Sequence, residues 1–433
     1  MNFPNIELFP YNTGISPNGN LSIGGCDVSD LAREHGTPLY ILDEVTLREK
    51  CREFVNTFRD YYPNTRVVYA SKAFINLALA NLFNEEGLGL DVVSGGELAV
   101  AQRANFPSDM IYFHGNNKSA DELSMAVDYN IHRVVIDNFH EMTLLDSIAK
   151  EKHIVQDVLL RVSPGIDPHT HVYTTTGVLD SKFGFSIQTG QALQAVEMAR
   201  GLSNVRIVGL HFHLGSPVFE LEPYTKAMEI VLNFAEESNL DISEISPGGG
   251  FAIAYTRDQK PPAVKEYAEA ITSSLKGRDN LQLIIEPGRS IIGRSGIAIY
   301  SIGSSKDIPG IRKYVSVDGG MGDNIRPALY QAEYEAVIAN KMRSDIAEKV
   351  SIAGKFCESG DILLRDVMFP MLEAGDILAI PAAGAYAPSM ASNYNMVPRP
   401  AVVMVNDGKS RVCLLYTSPS PRDATLSRMP SSA

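Results

Sequence analysis

The residues able to do chemistry fall where short apolar runs end. Lys72 closes TRVVYASK (65–72). A lysine beside apolar residues can lose its proton and attack a carbonyl to form an imine, although a plain solvated lysine occupies the same kind of position. Asp91, Ser94 and Glu97 stand in DVVSGGE (91–97), and His211, His213 and Ser216 in HFHLGS (211–216). His211 and His213, two apart on a strand, point to one face, which suits two zinc ligands or two core histidines; no third ligand stands at usable spacing. Gly248, Gly249 and Gly250 form either a tight turn or a set of backbone N–H groups open to a phosphate. In EPGR (286–289), Glu286 is either a partner for Arg289 or an acceptor for a protonated ring nitrogen, with Gly288 between them.

The elements that must position these residues are legible. After a leading PLYILD (38–43) come eight apolar, β-branched runs: 65–71, 89–94, 110–115, 133–138, 157–164, 206–215, 244–250 and 281–289. Continuous apolar runs suit parallel strands covered on both faces, and amphipathic stretches such as NLALANLFNEEG (76–87) lie between them. Eight such units predict an α/β fold with a closed (β/α)8 barrel of TIM type, a doubly wound open sheet being the alternative. In a barrel all the residues above sit at the C-terminal strand ends and share one mouth. Beyond about residue 295 the strands become short and broken by Gly, Pro and Asp, as in an antiparallel β-sandwich or β-barrel. We therefore expect a barrel over 36–294, a β domain over 295–415 with residues 1–35 packed on it, and a disordered tail at 416–433.

Composition narrows the function classes. The 433 residues are 45% hydrophobic and 21% charged, as in a globular protein with a large core. Lys and Arg total 38 against 51 Asp and Glu, a net charge of −13 that opposes binding to nucleic acid or an anionic membrane. The four cysteines form no CxxC pair, and no apolar run is long enough to span a membrane. MNFPNIELFPYN lacks the basic and apolar regions of a signal peptide, so a cytoplasmic protein is expected.

Taken together, the mouth residues suit pyridoxal 5′-phosphate. The lysine would hold its aldehyde as an imine, the glycines its phosphate, and the carboxylate a protonated pyridine nitrogen that makes the ring an electron sink, with a histidine stacked on the ring; no metal is expected on this reading. The motifs YASKAF (69–74), DVVSGGE, THVYTTTG with SKFGF (170–185), GLHFHLGS, SPGGGF (246–251), EPGR, RPALY (326–330) and CESGD (357–361) occur in order. This set, from about residue 20 to 411, resembles the diaminopimelate decarboxylases, within the fold-type III group that also holds ornithine and arginine decarboxylases and, more distantly, alanine racemase.

The resemblance implies roles. Lys72 would carry the cofactor, His213 stack on its ring, and Asp91 support the lysine. Ser216, Gly248–Gly250, Gly288 and Arg289 would line the phosphate, and Glu286 bond the pyridine nitrogen. Arg289, Arg326 and Tyr330 would hold the distal carboxylate of the substrate and Glu358 its distal ammonium. Cys357 would return a proton after carbon dioxide leaves, and Tyr386 contact cofactor and substrate. Two arginines suit meso-2,6-diaminopimelate, converted to L-lysine, better than ornithine, which has no distal carboxylate. Another diamino acid (ornithine, arginine or carboxynorspermidine) and a non-catalytic homologue are the competing readings. The family's loop around CESGD enters a neighbouring subunit, which implies a homodimer with shared sites. Two stretches depart from the family: YNMVPRP (394–400) lacks an expected serine–arginine spacing, and the chain after Arg411 reads as non-native sequence.

Overall fold

The computed structural model describes residues 5–167 and 180–414. THVYTTTG and the 416–433 tail lie outside the described residues. The chain divides into two compact units. Of the described residues, those up to Leu47, Ala254–Lys260 and those from Ile292 onward form one; those within Arg48–Ile253 and Pro261–Ile291 form the other.

The second unit is the expected barrel. Its strands are β1 (Thr65–Ala70), β2 (Gly89–Val92), β3 (Ile111–Phe113), β4 (Arg133–Ile136), β5 (Gln156–Ser163), β6 (Val205–His211), β7 (Glu244–Gly248) and β8 (Gln282–Ile285). All pair in parallel with their neighbours, and β8 closes onto β1 through Leu283 opposite Thr65. The helices that follow start where the sequence caps them. Asn76, Ser94, Ser119 and Asn138 each accept the N–H three residues on, and Ser119 with Glu122 completes a capping box. Such a cap explains why β2 ends at Val92 although the apolar run continues: Ser94 already belongs to the helix start.

Side chains inside the barrel form layers. Val68, Tyr112, Val135, Leu159 and Ile284 make one buried cluster, with Val208 against it, drawn from six strands. Because strand side chains alternate with period two, the next position of the same parity holds Arg161 on β5 and, one residue past the ends of β3, β4 and β8, His114, Asp137 and Glu286. On β6 the spacing from Val208 to His211 is three, and a register shift between Ile207 and Gly209 absorbs the extra residue. The apolar plug thus ends in a layer made almost entirely of titratable groups.

In the first unit, one sheet runs in the order Ile362–Phe369, Glu348–Ala353, Arg312–Val317, Gly296–Ile308, Leu39–Asp43, Ala401–Asn406, Lys409–Leu414. Its pairings are antiparallel except Arg312–Val317 with Glu348–Ala353 and Leu39–Asp43 with Ala401–Asn406. PLYILD, placed within 36–294 from the sequence, pairs here instead: Ile41 faces Ile297 and Val403. Phe9, Leu21, Ile23, Val28 and Leu31 share an apolar core with Leu39, Ile41, Ile297, Ile299 and Val403. Among the described residues, no helix is long and apolar enough to cross a membrane.

Candidate active site

The titratable layer of the barrel centres on Glu286. The carboxylate is 5% exposed. Ser246 Oγ donates to its Oε1 at 2.8 Å and His211 Nε2 lies 3.1 Å from its Oε2. His114 Nε2 stands 3.4 Å from Oε1 of Glu286 and 3.7 Å from Oδ1 of Asp91. Burial drives the Glu286 carboxyl up, but His211 and His114 outweigh it and hold it well below the usual carboxylate range. Burial also depresses His211, to about 4, against the pull of Glu286. At neutral pH His211 is therefore an uncharged donor through Nε2–H, so hydrogen bonding is what it contributes to the carboxylate. Asp91, 1% exposed, is raised by burial and by Glu286, against His114 and Lys72.

Lys72 follows directly on β1, in the short turn Ser71–Ala73, and its side chain is exposed. Its charge acts on Asp91, Glu97 and His213. Burial, then Lys72 and Arg161, push His213 well below its ordinary value, and the Gly249 N–H reaches His213 Nδ1 at 3.3 Å. Its ring is thus a neutral, oriented plate between β6 and the glycine turn.

The glycines are dictated by close packing. A Cβ on Gly249 would lie 2.2 Å from the Glu286 carbonyl oxygen, and one on Gly248 2.7 Å from His213 Nδ1. Gly250, at φ +102°, sits against the Gly215 carbonyl and the Tyr224 hydroxyl. Beside this turn the Arg289 Nε–H donates to Ser216 Oγ at 3.2 Å, and Arg289 is 7% exposed. A guanidinium, a hydroxyl and a glycine turn make an anion-binding corner.

The remaining sequence-derived residues belong to the first unit. Arg326 opens the helix Arg326–Tyr330 and is 5% exposed. Its guanidinium lies 4.3 Å from the Tyr255 ring centre and 5.5 Å from that of Tyr334, and its Nη1–H donates to Tyr334 Oη. No carboxylate pairs with it among the described residues, and its Nε is buried without a hydrogen-bond partner. Tyr330 and Tyr386 are half-buried, and Tyr386 holds φ 60°, a conformation that a non-glycine residue adopts only under constraint. Cys357 and Glu358 are exposed on a braced loop. The Cys357 N–H donates to Asn395 Oδ1 at 2.9 Å, Tyr394 Oη donates to Glu358 at 2.6 Å, and buried Asp361 accepts the Phe356 and Met321 N–H groups.

Sequence reasoning missed His114, Asp137, Arg161 and Ser246. Each stands two residues beyond a barrel-core residue or, for Ser246, beyond Glu244, within its strand or one residue past its end, so the period-two count carried along each strand was the signal. The cation ligand missing from the sequence also comes from another strand. His114, His211 and Glu286 place ligand atoms within 4.8 Å of one another; His213, which the sequence paired with His211, is not in that group.

The layer fits a pyridoxal group. Glu286 offers a buried carboxylate with a suppressed pKa, while Asp91 Oδ1 and His211 Nδ1 are buried with no hydrogen-bond partner among the described residues. The Ser216–Arg289 corner offers an anion site on the same strand ends.

Comparison with known proteins agrees. Residues 46–293 match the family model for the pyridoxal-binding domain of pyridoxal-dependent decarboxylases. A diaminopimelate decarboxylase of Bacillus methanolicus is 47% identical over 412 residues, 93% of this chain and 95% of that protein. One of Synechocystis is 42% identical over 95% of this chain and 91% of its own. The crystal structure of a diaminopimelate decarboxylase from M. jannaschii superposes with a TM-score of 0.89 at 34% identity, covering 97% of this chain and 98% of that one. Fold and site together define a barrel-type decarboxylase whose cofactor is pyridoxal 5′-phosphate. Within that class, the chain belongs to the diaminopimelate decarboxylase family, whose members are carboxy-lyases.

Proposed function

We propose that this protein decarboxylates meso-2,6-diaminopimelate to L-lysine and carbon dioxide. The observation that carries the substrate is Arg326: a buried guanidinium without an acidic partner among the described residues, one N–H of which has no acceptor. A buried cation held this way calls for an anionic ligand, and a distal carboxylate supplies it. Ornithine and arginine have none to offer.

The cofactor, when bound, supplies an electron sink for the carbon that loses carbon dioxide. The chain's own residues do the rest. Lys72 Nζ would anchor the cofactor, with Asp91 beside it and the neutral ring of His213 against its face. Glu286, fixed by Ser246 and His211, would hold the proton on the pyridine nitrogen. Ser216, Gly248–Gly250, Gly288 and Arg289 would hold the phosphate. Arg326, Arg289 and Tyr330 would grip the distal carboxylate, Glu358 the distal ammonium, and Tyr386 would touch both molecules. Cys357 Sγ would give a proton to the carbon that has lost carbon dioxide.

The exposed Cys357–Glu358 loop suits insertion into a second copy of the chain, in a homodimer with shared sites. Four unpaired cysteines suit a cytoplasmic setting. The test is to incubate the loaded enzyme separately with meso-diaminopimelate, L-ornithine and L-arginine and to follow carbon dioxide. We expect turnover of the first alone; comparable turnover of ornithine would overturn the substrate assignment.

A further inference from the structure

We propose that Tyr334 and Tyr255 are positioning residues that hold Arg326 in place without neutralising it, and so make the site select a carboxylate. The inference rests on the reading that Arg326 receives the distal carboxylate.

The cage is built. Tyr255 and Tyr334 are each 5% exposed, and their rings meet edge to face at 5.3 Å and 82°. Tyr255 presents its ring to the guanidinium at 4.3 Å, while Tyr334 accepts an Nη1–H through its hydroxyl. The next residue along from Tyr334 locks the arrangement. Glu335 accepts the Arg257 backbone N–H at 2.8 Å and pairs with the Arg257 guanidinium at 2.9 Å, tying the segment that carries Tyr255 to the one that carries Tyr334.

The choice of side chain matters. A carboxylate in the cage would fix Arg326 equally well but would cancel its charge, and an incoming anion would then find no net attraction. Phenols and π faces fix a guanidinium and leave it cationic. An arginine side chain otherwise loses rotamer freedom when it is immobilised on binding. Here that cost is met in the fold, before the ligand arrives.

The test uses substrate and product together. Decarboxylation removes one carboxylate of diaminopimelate, so L-lysine keeps the other, which Arg326 would hold. A defect in the cage must weaken both ligands alike. In the loaded enzyme, we expect Tyr334→Phe to raise KM for meso-diaminopimelate and the competitive Ki of L-lysine by a common factor of about tenfold. We expect kcat and the absorption spectrum of the bound cofactor to stay as in the wild type. Tyr255→Leu, which removes the π face and leaves the phenol acceptor, should do the same in smaller measure. Arg326→Ala is the reference. If Arg326→Ala raises both constants and neither tyrosine variant does, the positioning role is wrong and the substrate reading stands. If Arg326→Ala itself leaves both unchanged, the substrate reading fails. A fall in kcat with KM unchanged, or a loss of cofactor affinity in Tyr334→Phe, would place the tyrosine elsewhere in the mechanism and overturn the proposal.

Discussion

The proposed sharing of active sites between two copies of the chain would have a numerical consequence. Lys72 lies in the barrel unit and Cys357 in the other, on a loop that is exposed yet held by Asn395, Asp361 and the stacked pair Phe356 and Tyr394. A rigid, exposed thiol suits delivery into a neighbour. Lys72→Ala and Cys357→Ala should each be inactive alone. If the two variants are mixed under conditions that exchange subunits, random pairing makes half of the dimers mixed. Each mixed dimer has one site lacking both residues and one with both, so recovery should approach about one quarter of wild-type activity in a symmetric dimer. The assay is carbon dioxide release at saturating meso-diaminopimelate, with subunit exchange verified by native mass spectrometry. If each site took both residues from one chain, no mixed dimer would hold an intact site. Exchange without recovery above the separate variants would therefore refute the shared site.

Two further outcomes follow from buried charge. Lys118 Nζ donates to the Gly115 and Val135 carbonyls, each at 2.8 Å, and to Glu141 at 2.7 Å, with both charged side chains almost fully buried. Lys118→Met should cost about 3–5 kcal/mol of unfolding free energy in urea, because Glu141 is left uncompensated; a loss below about 1 kcal/mol would be the wrong result. Burial lifts the Asp323 carboxyl to about 7, so the folded protein binds a proton there that the unfolded chain has released. That group opposes folding increasingly as pH rises from its ordinary value to about 7. We expect the stability advantage of Asp323→Asn over the wild type to grow between about pH 4 and pH 7 and to level off above it, measured as a difference in melting temperature; a constant difference across that range would contradict the assignment.

Local rules carried the fold a long way. Each of the eight apolar runs overlaps a barrel strand, and Ser94 and Asn138 mark helix starts that a capping rule finds unaided. PLYILD shows the limit. Its apolar run has the same texture as a barrel strand, and only its partners, Gly296–Ile308 and Ala401–Asn406, assign it to the other unit; those contacts span the whole chain. The site divides in the same way. Lys72, Glu286 and the glycines stand out locally because lysine, glutamate and consecutive glycines are unusual at apolar strand ends. His114 and Arg161 do not, since one histidine or arginine after an apolar run has no local signature. Their meaning comes from barrel closure, which brings the ends of β3 and β5 to the layer that holds Glu286. Tyr255 and Tyr334 are further out of reach: 79 residues separate them, and only the packed structure puts both on Arg326.

The most direct measurement is the visible absorption spectrum of the purified, cofactor-loaded protein, before and after meso-diaminopimelate, with L-lysine and carbon dioxide quantified in the same cuvette. We expect a cofactor band that changes on addition, equal amounts of the two products, and neither the band nor the products in Lys72→Ala. A band indifferent to diaminopimelate, or one retained unchanged in Lys72→Ala, would contradict the assignment of Lys72 and this substrate to one active site.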